Sequence, residues 1–466
     1  MLSQSSSYDC IVVGAGISGL AAAYAMLQRG ANVLLIEARA EAGGSIRSER
    51  TTEGYVVENG PNTVVSKDPA LLEHFAELGI ADVRLRAERA GAKRYVVKDG
   101  KPVLLPNSPP TLLATPLLPL ASKLRILAEP LLPRATTPDE SVATFFARRL
   151  GSELMEQFID PFVAGIYAGD PHSLSVQSSF PALWEAEQRS GSIVLGMITK
   201  ATQRKPDNGE AKKPQMKSEM LSFHDGLATW PRAIAGALGE RVWFNTSAQA
   251  LRFSAEGWQL DVHRDGQPFT VQADQVILAA PAQVVAGLFA ELDAAAAYAL
   301  GNIPAYPLSI VHTGYRREDV GNPLDGFGML CPSREGRNVL GILWPSSLFA
   351  GRAPEGHVLM TTFVGGARAA DLALLADAAL IDLVVGEQQA LLDVVADPVF
   401  TRVARWERAI PQYVAGHAAR MGLLAHLEVQ YPGLHFLGNY RDGVSVERCW
   451  HKGHELGATL PLTVQA

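Results

Sequence analysis

Cysteine is scarce in this sequence of 466 residues. The three cysteines, Cys10, Cys331 and Cys449, are odd in number and far apart, so they predict neither a disulfide framework nor a zinc site. His451 and His454 lie near Cys449 but lack further paired ligands, so no metal site is predicted. The low cysteine content is typical of a reducing compartment, and the N-terminus shows no secretory signal pattern. Both features lead us to expect a cytoplasmic location.

An excess of basic charge is also missing. The chain carries 41 Lys and Arg against 48 Asp and Glu, which gives a net charge of −7 spread along its length. Nucleic-acid-binding proteins normally present a basic face. We therefore expect no nucleic-acid partner.

Uninterrupted apolar runs are absent as well. A transmembrane helix needs about 18 or more consecutive apolar residues. Two charge-free stretches are long enough to consider, residues 102–122 and 294–315, but proline interrupts both, with six prolines in the first. Because proline removes a backbone donor and clashes with the preceding turn, neither stretch forms a clean span. These features exclude a single-span membrane protein but leave attachment to a membrane surface open.

The N-terminal segment has the pattern of a dinucleotide-binding β-α-β unit. A strand is predicted over residues 8–13, a helix over 20–29 and a second strand over 32–36. Between the first strand and the helix stands the GxGxxG sequence that begins at Gly14, whose glycines allow a tight turn and close approach to a pyrophosphate. Glu37 follows the second strand, where a carboxylate can accept hydrogen bonds from ribose hydroxyls.

The rest of the sequence alternates helical and strand-like segments. Residues 101–133 differ because eight prolines interrupt pairs of leucines there. The polar segment 200–219 has no periodicity and predicts an exposed loop, and Asp265-Gly266 predicts a hairpin. The other predicted elements are helices over 68–78, 140–199, 225–239, 369–395 and 444–460, and strands over 241–244, 248–254, 258–264, 269–272, 275–278 and 434–437.

Two further segments indicate which dinucleotide is bound. Residues 38–47 add a second glycine pair and an arginine just after Glu37, and they resemble the pattern of the flavin amine oxidase superfamily. Residues 438–446 resemble the C-terminal flavin contact of the same superfamily. Agreement near both ends of the sequence predicts FAD as the cofactor.

Within that superfamily the sequence resembles the protoporphyrinogen oxidase family over nearly its full length. The matching segments are residues 58–63, 93–95, 165–170, 326–328, 361–366 and 410–413. The resemblance implies an α/β fold with a Rossmann-like FAD-binding domain (1–85, 221–292 and 405–466). It also implies a discontinuous mixed-sheet substrate domain (86–100, 200–220 and 293–404) and a helical membrane-binding domain (101–199).

The resemblance also implies the residues of the site. The FAD contacts are Gly14, Ala15, Gly16, Ile17, Ser18, Gly19, Glu37, Ala38, Arg39, Gly43, Gly44, Gly60, Pro61, Asn62, Thr63, Ala248, Trp406, Gly438, Val444, Ser445 and Val446. Arg94 corresponds to an arginine that pairs with a substrate propionate, and Leu330, Leu343 and Phe363 correspond to apolar residues that enclose the macrocycle. No side-chain base stands out, and the backbone carbonyl of Gly165 is the candidate catalytic group.

The function that follows is oxidation of protoporphyrinogen IX to protoporphyrin IX by non-covalently bound FAD, with O2 as acceptor and H2O2 as by-product. Coproporphyrinogen III remains an alternative substrate, and a flavin-binding module at a membrane surface remains a non-enzymatic alternative. Resemblance to the flavin amine oxidases would imply a lysine near flavin N5, and this function is disfavoured because no lysine lies between Lys217 and Lys452. Further expected partners are a membrane surface, contacted through residues 102–122, a second copy of the chain and a ferrochelatase that receives the product.

Overall fold

The structure, a computed structural model, describes residues 7–134, 139–203 and 218–461. Most of the predicted polar loop, residues 204–217, lies outside the described residues. The strands are β1 (Ser7–Val13), β2 (Val33–Ile36), β3 (Ser48–Arg50), β4 (Val56–Glu58), β5 (Val64–Ser66), β6 (Arg84–Arg86), β7 (Tyr95–Lys98), β8 (Lys101–Leu104), β9 (Glu219–Phe223), β10 (Val242–Trp243), β11 (Thr246–Ser254), β12 (Gly257–Arg264), β13 (Gln267–Leu278), β14 (Leu308–Arg316), β15 (Gly328–Leu330), β16 (Gly341–Leu343), β17 (His357–Gly365), β18 (Phe400–Trp406) and β19 (Leu434–Phe436).

Helices occupy much of the remaining chain. They are α1 (Ile17–Gln28), α2 (Pro69–Glu77), α3 (Pro109–Ala114), α4 (Leu120–Leu127), α5 (Val142–Leu150), α6 (Ser152–Leu154), α7 (Asp160–Tyr167), α8 (Val176–Ser179), α9 (Pro181–Ser190), α10 (Ile193–Gln203), α11 (Thr229–Leu238), α12 (Ala282–Phe289), α13 (Ala294–Gly301), α14 (Pro345–Leu348), α15 (Asp377–Leu392), α16 (His417–Gln430) and α17 (Val446–Thr459). A π-helical turn, Met155–Ile159, leads directly into α7. In the part of the chain that the structure describes, none of the helices combines the length and the apolar character that crossing a bilayer requires.

The first sheet has the strand order β10-β2-β1-β13-β12-β11, and β19 also pairs with β13. Strand β1 is parallel to both β2 and β13, so its carboxyl end lies between two parallel neighbours. The predicted strands 269–272 and 275–278 are wrong as separate elements. They form the single strand β13, which continues because one half pairs with β12 and the other with β1.

The hairpin between β12 and β13 is confirmed at Asp265 and Gly266. Both residues have a positive φ, 47° and 79°, as a two-residue turn with the twist of a hairpin requires.

The second sheet is mixed and has the order β18-β14-β17-β16-β15-β7-β8. Helix α15 covers one of its faces, and the residues buried between them include Val311, Met329, Ile342, Met360, Leu380 and Val384. This helix is shorter than the predicted helix over 369–395. Leu375 and Ala376 are extended before its start, and Asp393 ends it in the left-handed conformation.

The predicted domain bounds remain a prediction, but the two sheets show how the chain is distributed. Residues near 7–36, 242–278 and 434–436 build the first sheet, and residues near 95–104 and 308–406 build the second. Strand β8, at residues 101–104, belongs to the mixed sheet, so the helices of the 101–199 region begin only at α3.

The first and last helices pack closely through glycine. A Cβ atom at Gly453 would lie 2.1 Å from the carbonyl oxygen of Ser18, and one at Gly457 would lie 2.3 Å from that of Ala22. Only glycine therefore allows α17 to approach the backbone of α1 at these two positions.

A buried ion pair joins β4, which forms a separate two-stranded sheet with β3, to the segment that precedes β17. Glu58 Oε1 lies 3.2 Å from a guanidinium nitrogen of Arg352, and both side chains are almost fully buried. Glu58 also accepts from the backbone N–H of Leu227 at 2.9 Å, while Arg352 donates to Ser222 Oγ at 2.5 Å. Burial raises the pKa of Glu58 to about 7, against the opposing effect of Arg352.

A second buried ion pair stabilises the helical region. Glu129 and Arg149 are both fully buried, and Arg149 Nε donates to Glu129 Oε1 at 2.6 Å. Glu129 also accepts from Ser192 Oγ at 2.5 Å and from the backbone N–H of Ile193 at 2.9 Å. Arg149 donates further to the carbonyl of Gly191 at 2.8 Å. Burial alone acts to raise the pKa of Glu129, but these donors outweigh it and lower the pKa.

We predict that Glu129→Gln lowers the free energy of unfolding by up to about 3–5 kcal/mol, because it removes the carboxylate that pairs most closely with the buried Arg149. The remaining carboxylate, Glu187, lies 3.4 Å from Arg149 and also pairs with Arg148. Thermal and urea unfolding at neutral pH measure the change. Because the pKa of Glu129 is lowered on folding, its contribution is present above the usual carboxyl range. The difference between the two proteins therefore shrinks as the pH falls through the lowered pKa.

The matched control is Glu185→Gln, which breaks an exposed pair with Arg189 one helical turn away. This control is expected to cost less than about 1 kcal/mol. Equal, small costs for the two variants would contradict the assignment of a stabilising role to the buried pair.

Candidate FAD and substrate site

The GxGxxG turn lies at the carboxyl end of β1, and contact distances explain its glycines. Gly14 has φ = +107°, and a Cβ atom there would lie 2.9 Å from the carbonyl oxygen of Ala279. A Cβ atom at Gly19 would lie 2.1 Å from the carbonyl oxygen of Gly14. A Cβ atom at Gly16, in contrast, would meet no protein atom within 4 Å. The turn therefore leaves space beside Gly16 at the start of α1, where the N–H groups of Ile17 and Ser18 favour an anion.

Glu37 lies directly beside this turn. Its Oε2 atom accepts from the backbone N–H of Ala15 at 2.8 Å, and its Oε1 atom accepts from the backbone N–H of Arg39 at 3.1 Å. The side chain of Arg39 reaches the carbonyl of Gly44 at 2.9 Å. The structure thus brings the predicted ribose-binding carboxylate and its neighbour Ala38 to the predicted pyrophosphate turn.

The second glycine pair folds onto the first. Gly43 donates its backbone N–H to the carbonyl of Ala15 at 2.8 Å. Gly44 has φ = +63°, and a Cβ atom there would lie 2.9 Å from the Cα atom of Gly16. The segment containing Ala248 approaches the same region, because Thr246 donates its N–H to the carbonyl of Glu37 at 2.8 Å.

The predicted flavin-contacting turn, Gly60 to Thr63, is partly exposed. A Cβ atom at Gly60 would lie 1.9 Å from the carbonyl oxygen of Ser45, so only glycine fits there. Asn62 donates to the carbonyl of Gly60 at 3.3 Å, but its Oδ1 atom is buried without a partner among the described residues.

Trp406 adjoins this turn. Its indole N–H donates to the backbone carbonyl of Asn59 at 2.7 Å, and the guanidinium of Arg47 lies 4.5 Å from the ring centre. The Nε atom of Arg47 is also buried without a hydrogen-bond partner in the described part of the chain. A polar heterocycle placed here can donate a hydrogen bond to Asn62 Oδ1 and accept one from Arg47 Nε–H, and both atoms otherwise lack a described partner.

The C-terminal segment approaches the GxGxxG turn from the other side. Gly438 donates its N–H to Asp442 at 3.1 Å, and Ser445 caps α17 by accepting from the N–H of Arg448 at 3.3 Å. Val446 belongs to the same buried cluster as Ala15 and Ile17, while Val444 is partly exposed.

The predicted substrate residues share one face of the mixed sheet. Leu330 lies opposite Gly341, and Gly341 lies opposite Phe363. Leu343 follows Gly341 by two residues and therefore points to the same face. Leu330, Leu343 and Phe363 are each partly exposed, and a Cβ atom at Gly165 would lie 2.7 Å from a methyl group of Leu330. The structure thus brings Gly165 and the three apolar residues together, opposite the face that α15 covers.

Arg94 lies just before β7 and is exposed. Its guanidinium lies 5.4 Å from the ring centre of Phe327, and it forms no ion pair with any residue that the structure describes. Lys93, in contrast, pairs with Asp325, which also accepts from the hydroxyl of Tyr95 at 2.6 Å. These two donors lower the pKa of Asp325. Of the two neighbouring cations, Lys93 has a carboxylate partner among the described residues and Arg94 has none.

Segments that resemble the family meet at the end of α7. Gln412 donates to the carbonyl of Tyr167 at 2.7 Å. A Cβ atom at Gly366 would lie 2.3 Å from the carbonyl oxygen of Ala168, which adopts φ = 46°. Sequence reasoning missed one buried group nearby, His312, whose signal is a lone histidine in an otherwise apolar and threonine-containing strand.

The fold and the site define a class, the flavoprotein oxidoreductases that combine a dinucleotide-binding sheet with a separate mixed sheet for the substrate. The model of the family "Flavin containing amine oxidoreductase" matches residues 17–455. A mitochondrial protoporphyrinogen oxidase of Nicotiana tabacum is 35% identical, over 97% of this chain and 94% of its own. The chain belongs to the flavin-containing amine oxidoreductase family, in the branch of the protoporphyrinogen oxidases, and its cofactor is FAD.

Two further relatives extend this comparison. The coproporphyrinogen III oxidase of Bacillus subtilis is 28% identical, over 95% of this chain and 96% of its own. A crystal structure from Exiguobacterium sp. 255-15 superposes with a TM-score of 0.77 at 23% identity, covering 96% of this chain and 97% of that one. The latter supports the fold alone.

The residues present fit FAD. The space beside Gly16 accommodates a pyrophosphate close to the backbone, Glu37 lies within reach of a ribose, and the orphaned atoms of Asn62 and Arg47 lie at the predicted flavin end. The roles of the individual residues remain predictions from the sequence.

We predict that Gly16→Ala weakens FAD binding roughly tenfold or more, because a methyl group enters the space that the pyrophosphate needs. The apoprotein should keep its unfolding temperature, since Gly16 has an ordinary φ of −70° and the new Cβ meets no protein atom. Titration of apoprotein with FAD measures the affinity. The control is Gly236→Ala in α11, which also meets nothing within 4 Å. Wild-type FAD affinity in Gly16→Ala would show that the pyrophosphate lies elsewhere.

Proposed function

We propose that this protein oxidises a porphyrinogen to the porphyrin in haem biosynthesis, with protoporphyrinogen IX as its substrate. The observation that carries the proposal is the partly exposed apolar face of Leu330, Leu343 and Phe363 in a flavoprotein, where Leu330 packs against Gly165. The names of the relatives support the same substrate class. Bound FAD would supply two-electron oxidation, so loss of six hydrogens from the porphyrinogen takes three turns, in which three O2, the proposed acceptor, are reduced to three H2O2.

The chain's own residues bind and orient the substrate. Leu330, Leu343 and Phe363 contact an apolar macrocycle, as the walls of ligand pockets usually do. Arg94 offers a planar donor fork for a carboxylate at the edge of the macrocycle. Gly165 lies in the last turn of α7, where a carbonyl lacks a partner within the helix, so it can accept a pyrrole N–H. Catalysis then depends mainly on positioning and on exclusion of bulk water.

Anaerobic mixing of the FAD-loaded protein with each porphyrinogen tests the proposed function. We expect each two-electron oxidation of protoporphyrinogen IX to bleach the absorbance of one bound flavin. Fluorescent porphyrin should then form after O2 is admitted. Faster bleaching by coproporphyrinogen III would identify that substrate instead. If neither porphyrinogen bleaches the flavin, the result would contradict the proposed activity and favour a flavin-binding module.

We predict that Arg94→Ala raises the KM for protoporphyrinogen roughly tenfold, because a charge-assisted hydrogen bond to a propionate is lost. The FAD content should not change, since Arg94 lies on the mixed sheet. Lys93→Ala is the matched control, because Lys93 already pairs with Asp325. An unchanged KM for Arg94→Ala would remove this residue from the substrate site.

We also propose that a surface of exposed leucines on α3, α4 and the following turn attaches the protein to a membrane surface. This leucine surface comprises Leu113, Leu120, Leu124, Leu127 and Leu131. Leu120, Leu124 and Leu127 recur at the spacing of one face of α4. Exposed apolar residues grouped in this way favour a partner or a bilayer interface.

The prediction that residues 102–122 contact a membrane needs a correction for two of its leucines. Leu117 and Leu118 are buried, because they pack inward between α3 and α4, so they cannot contact a membrane. A homodimer and transfer of the product to a ferrochelatase remain further proposals that rest on the family resemblance.

We predict that the triple variant Leu120→Ser, Leu124→Ser and Leu127→Ser loses most of its binding to phospholipid vesicles and keeps its FAD. Co-sedimentation with vesicles and flavin absorbance measure the two properties. The matched control is Val395→Ser with Val429→Ser, two equally exposed positions away from this surface. Undiminished sedimentation of the triple variant would show that the leucine surface is not the attachment site.

A further inference from the structure

A fully buried histidine lies inside the mixed sheet, on the face that carries the predicted substrate residues. His312 of β14 lies opposite Thr361 of β17, which follows the same alternation as Phe363 two residues later. The His312 side chain is completely buried. Nothing in the proposed chemistry accounts for a buried imidazole at this position.

Two hydrogen bonds define the state of this ring. Nε2 lies 3.2 Å from Oδ1 of Asn59, and Nδ1 lies 3.0 Å from Oγ1 of Thr361. An amide oxygen only accepts, so Nε2 carries the proton, and Nδ1 accepts from the threonine hydroxyl. Burial, with a smaller effect of Arg402, lowers the pKa of His312 to about 3, so the ring stays neutral near neutral pH.

Asn59 connects this ring to the predicted flavin-contacting turn. It immediately precedes Gly60, and its backbone carbonyl accepts the indole N–H of Trp406 at 2.7 Å. Its backbone N–H donates to the carbonyl of Arg47 at 2.8 Å, and Arg47 stacks on Trp406. His312 thus holds the side chain of the residue whose backbone organises the turn, Arg47 and Trp406.

We propose that His312 is a positioning residue that, through Asn59, fixes the Gly60–Thr63 turn and Trp406 relative to the isoalloxazine of bound FAD. It sets the rate of flavin reduction and the environment of the flavin, and it leaves the affinity for FAD, which the GxGxxG turn provides, nearly unchanged. The part that concerns reduction by substrate rests on the proposed function, whereas the part that concerns the flavin environment does not.

The test compares His312→Leu, which removes the donor to Asn59, with His312→Gln, whose amide N–H can replace Nε2–H. For His312→Leu we expect a shifted visible absorbance band of bound flavin and roughly tenfold slower anaerobic reduction at saturating porphyrinogen. FAD affinity should change little. His312→Gln should restore the band and most of the rate.

The matched control is Thr313→Val, the next residue of β14, which is also fully buried but bonds to Gln388 on the opposite face. It should lower the unfolding temperature and leave the flavin spectrum unchanged. If His312→Leu does not fold, Asn59→Ala must give the same spectral shift, because it breaks the same hydrogen bond.

Three results would overturn the proposal. The first is a wild-type spectrum and rate in His312→Leu, or a wild-type spectrum in Asn59→Ala. The second is a His312→Gln variant as impaired as His312→Leu, which would indicate a need for ring shape alone. The third is a shifted flavin band in Thr313→Val. If wild-type protein is not reduced by any porphyrinogen, the proposed function fails, but the spectral comparison still decides the role of His312.

Discussion

The close contact between the first and last helices is the constraint on which the cofactor site depends. Gly453 and Gly457 allow α17 to lie against the backbone of α1, where any side chain would collide with the carbonyls of Ser18 and Ala22. This contact covers the apolar face of α1 and brings the capped start of α17, at Ser445, to the GxGxxG turn. Neither end of the chain forms the site alone, because each supplies one wall of it.

The two faces of the mixed sheet differ in burial. One face is covered by α15, and the other carries partly exposed side chains. The residues of the sheet that face α15 form a closed core with it. On the other face of the sheet, Leu330 and Phe363 stay partly exposed beside α7. The end of α7 is fixed by Gly366 and Gln412, which contact consecutive backbone carbonyls there. The part of this face that carries Leu330 and Phe363 therefore keeps a defined shape while its side chains stay partly exposed.

The sequence was sufficient for the features that depend on local spacing. The β-α-β unit, the carboxylate of Glu37 and the Asp265-Gly266 hairpin are all present where their spacing predicts them. The sequence was insufficient for features that depend on contacts between residues far apart in the chain. The helix over 369–395 is shortened by an extended segment before α15, and the buried partners of Glu129 come from α5 and from the start of α10. Burial of Leu117 and Leu118 and the bond from His312 to Asn59 likewise depend on chain segments whose meeting no local pattern records.

The buried pair of Glu129 and Arg149 also has a consequence for the order of assembly. All its hydrogen-bond partners come from residues 129–194, so this part of the chain can close while the ribosome is still making the rest. The GxGxxG turn, at residues 14–19, must instead wait for α17, which lies far later in the chain at residues 446–459. Residues 129–194 can therefore be fixed long before the chain can hold FAD, and cofactor loading must follow the synthesis of α17.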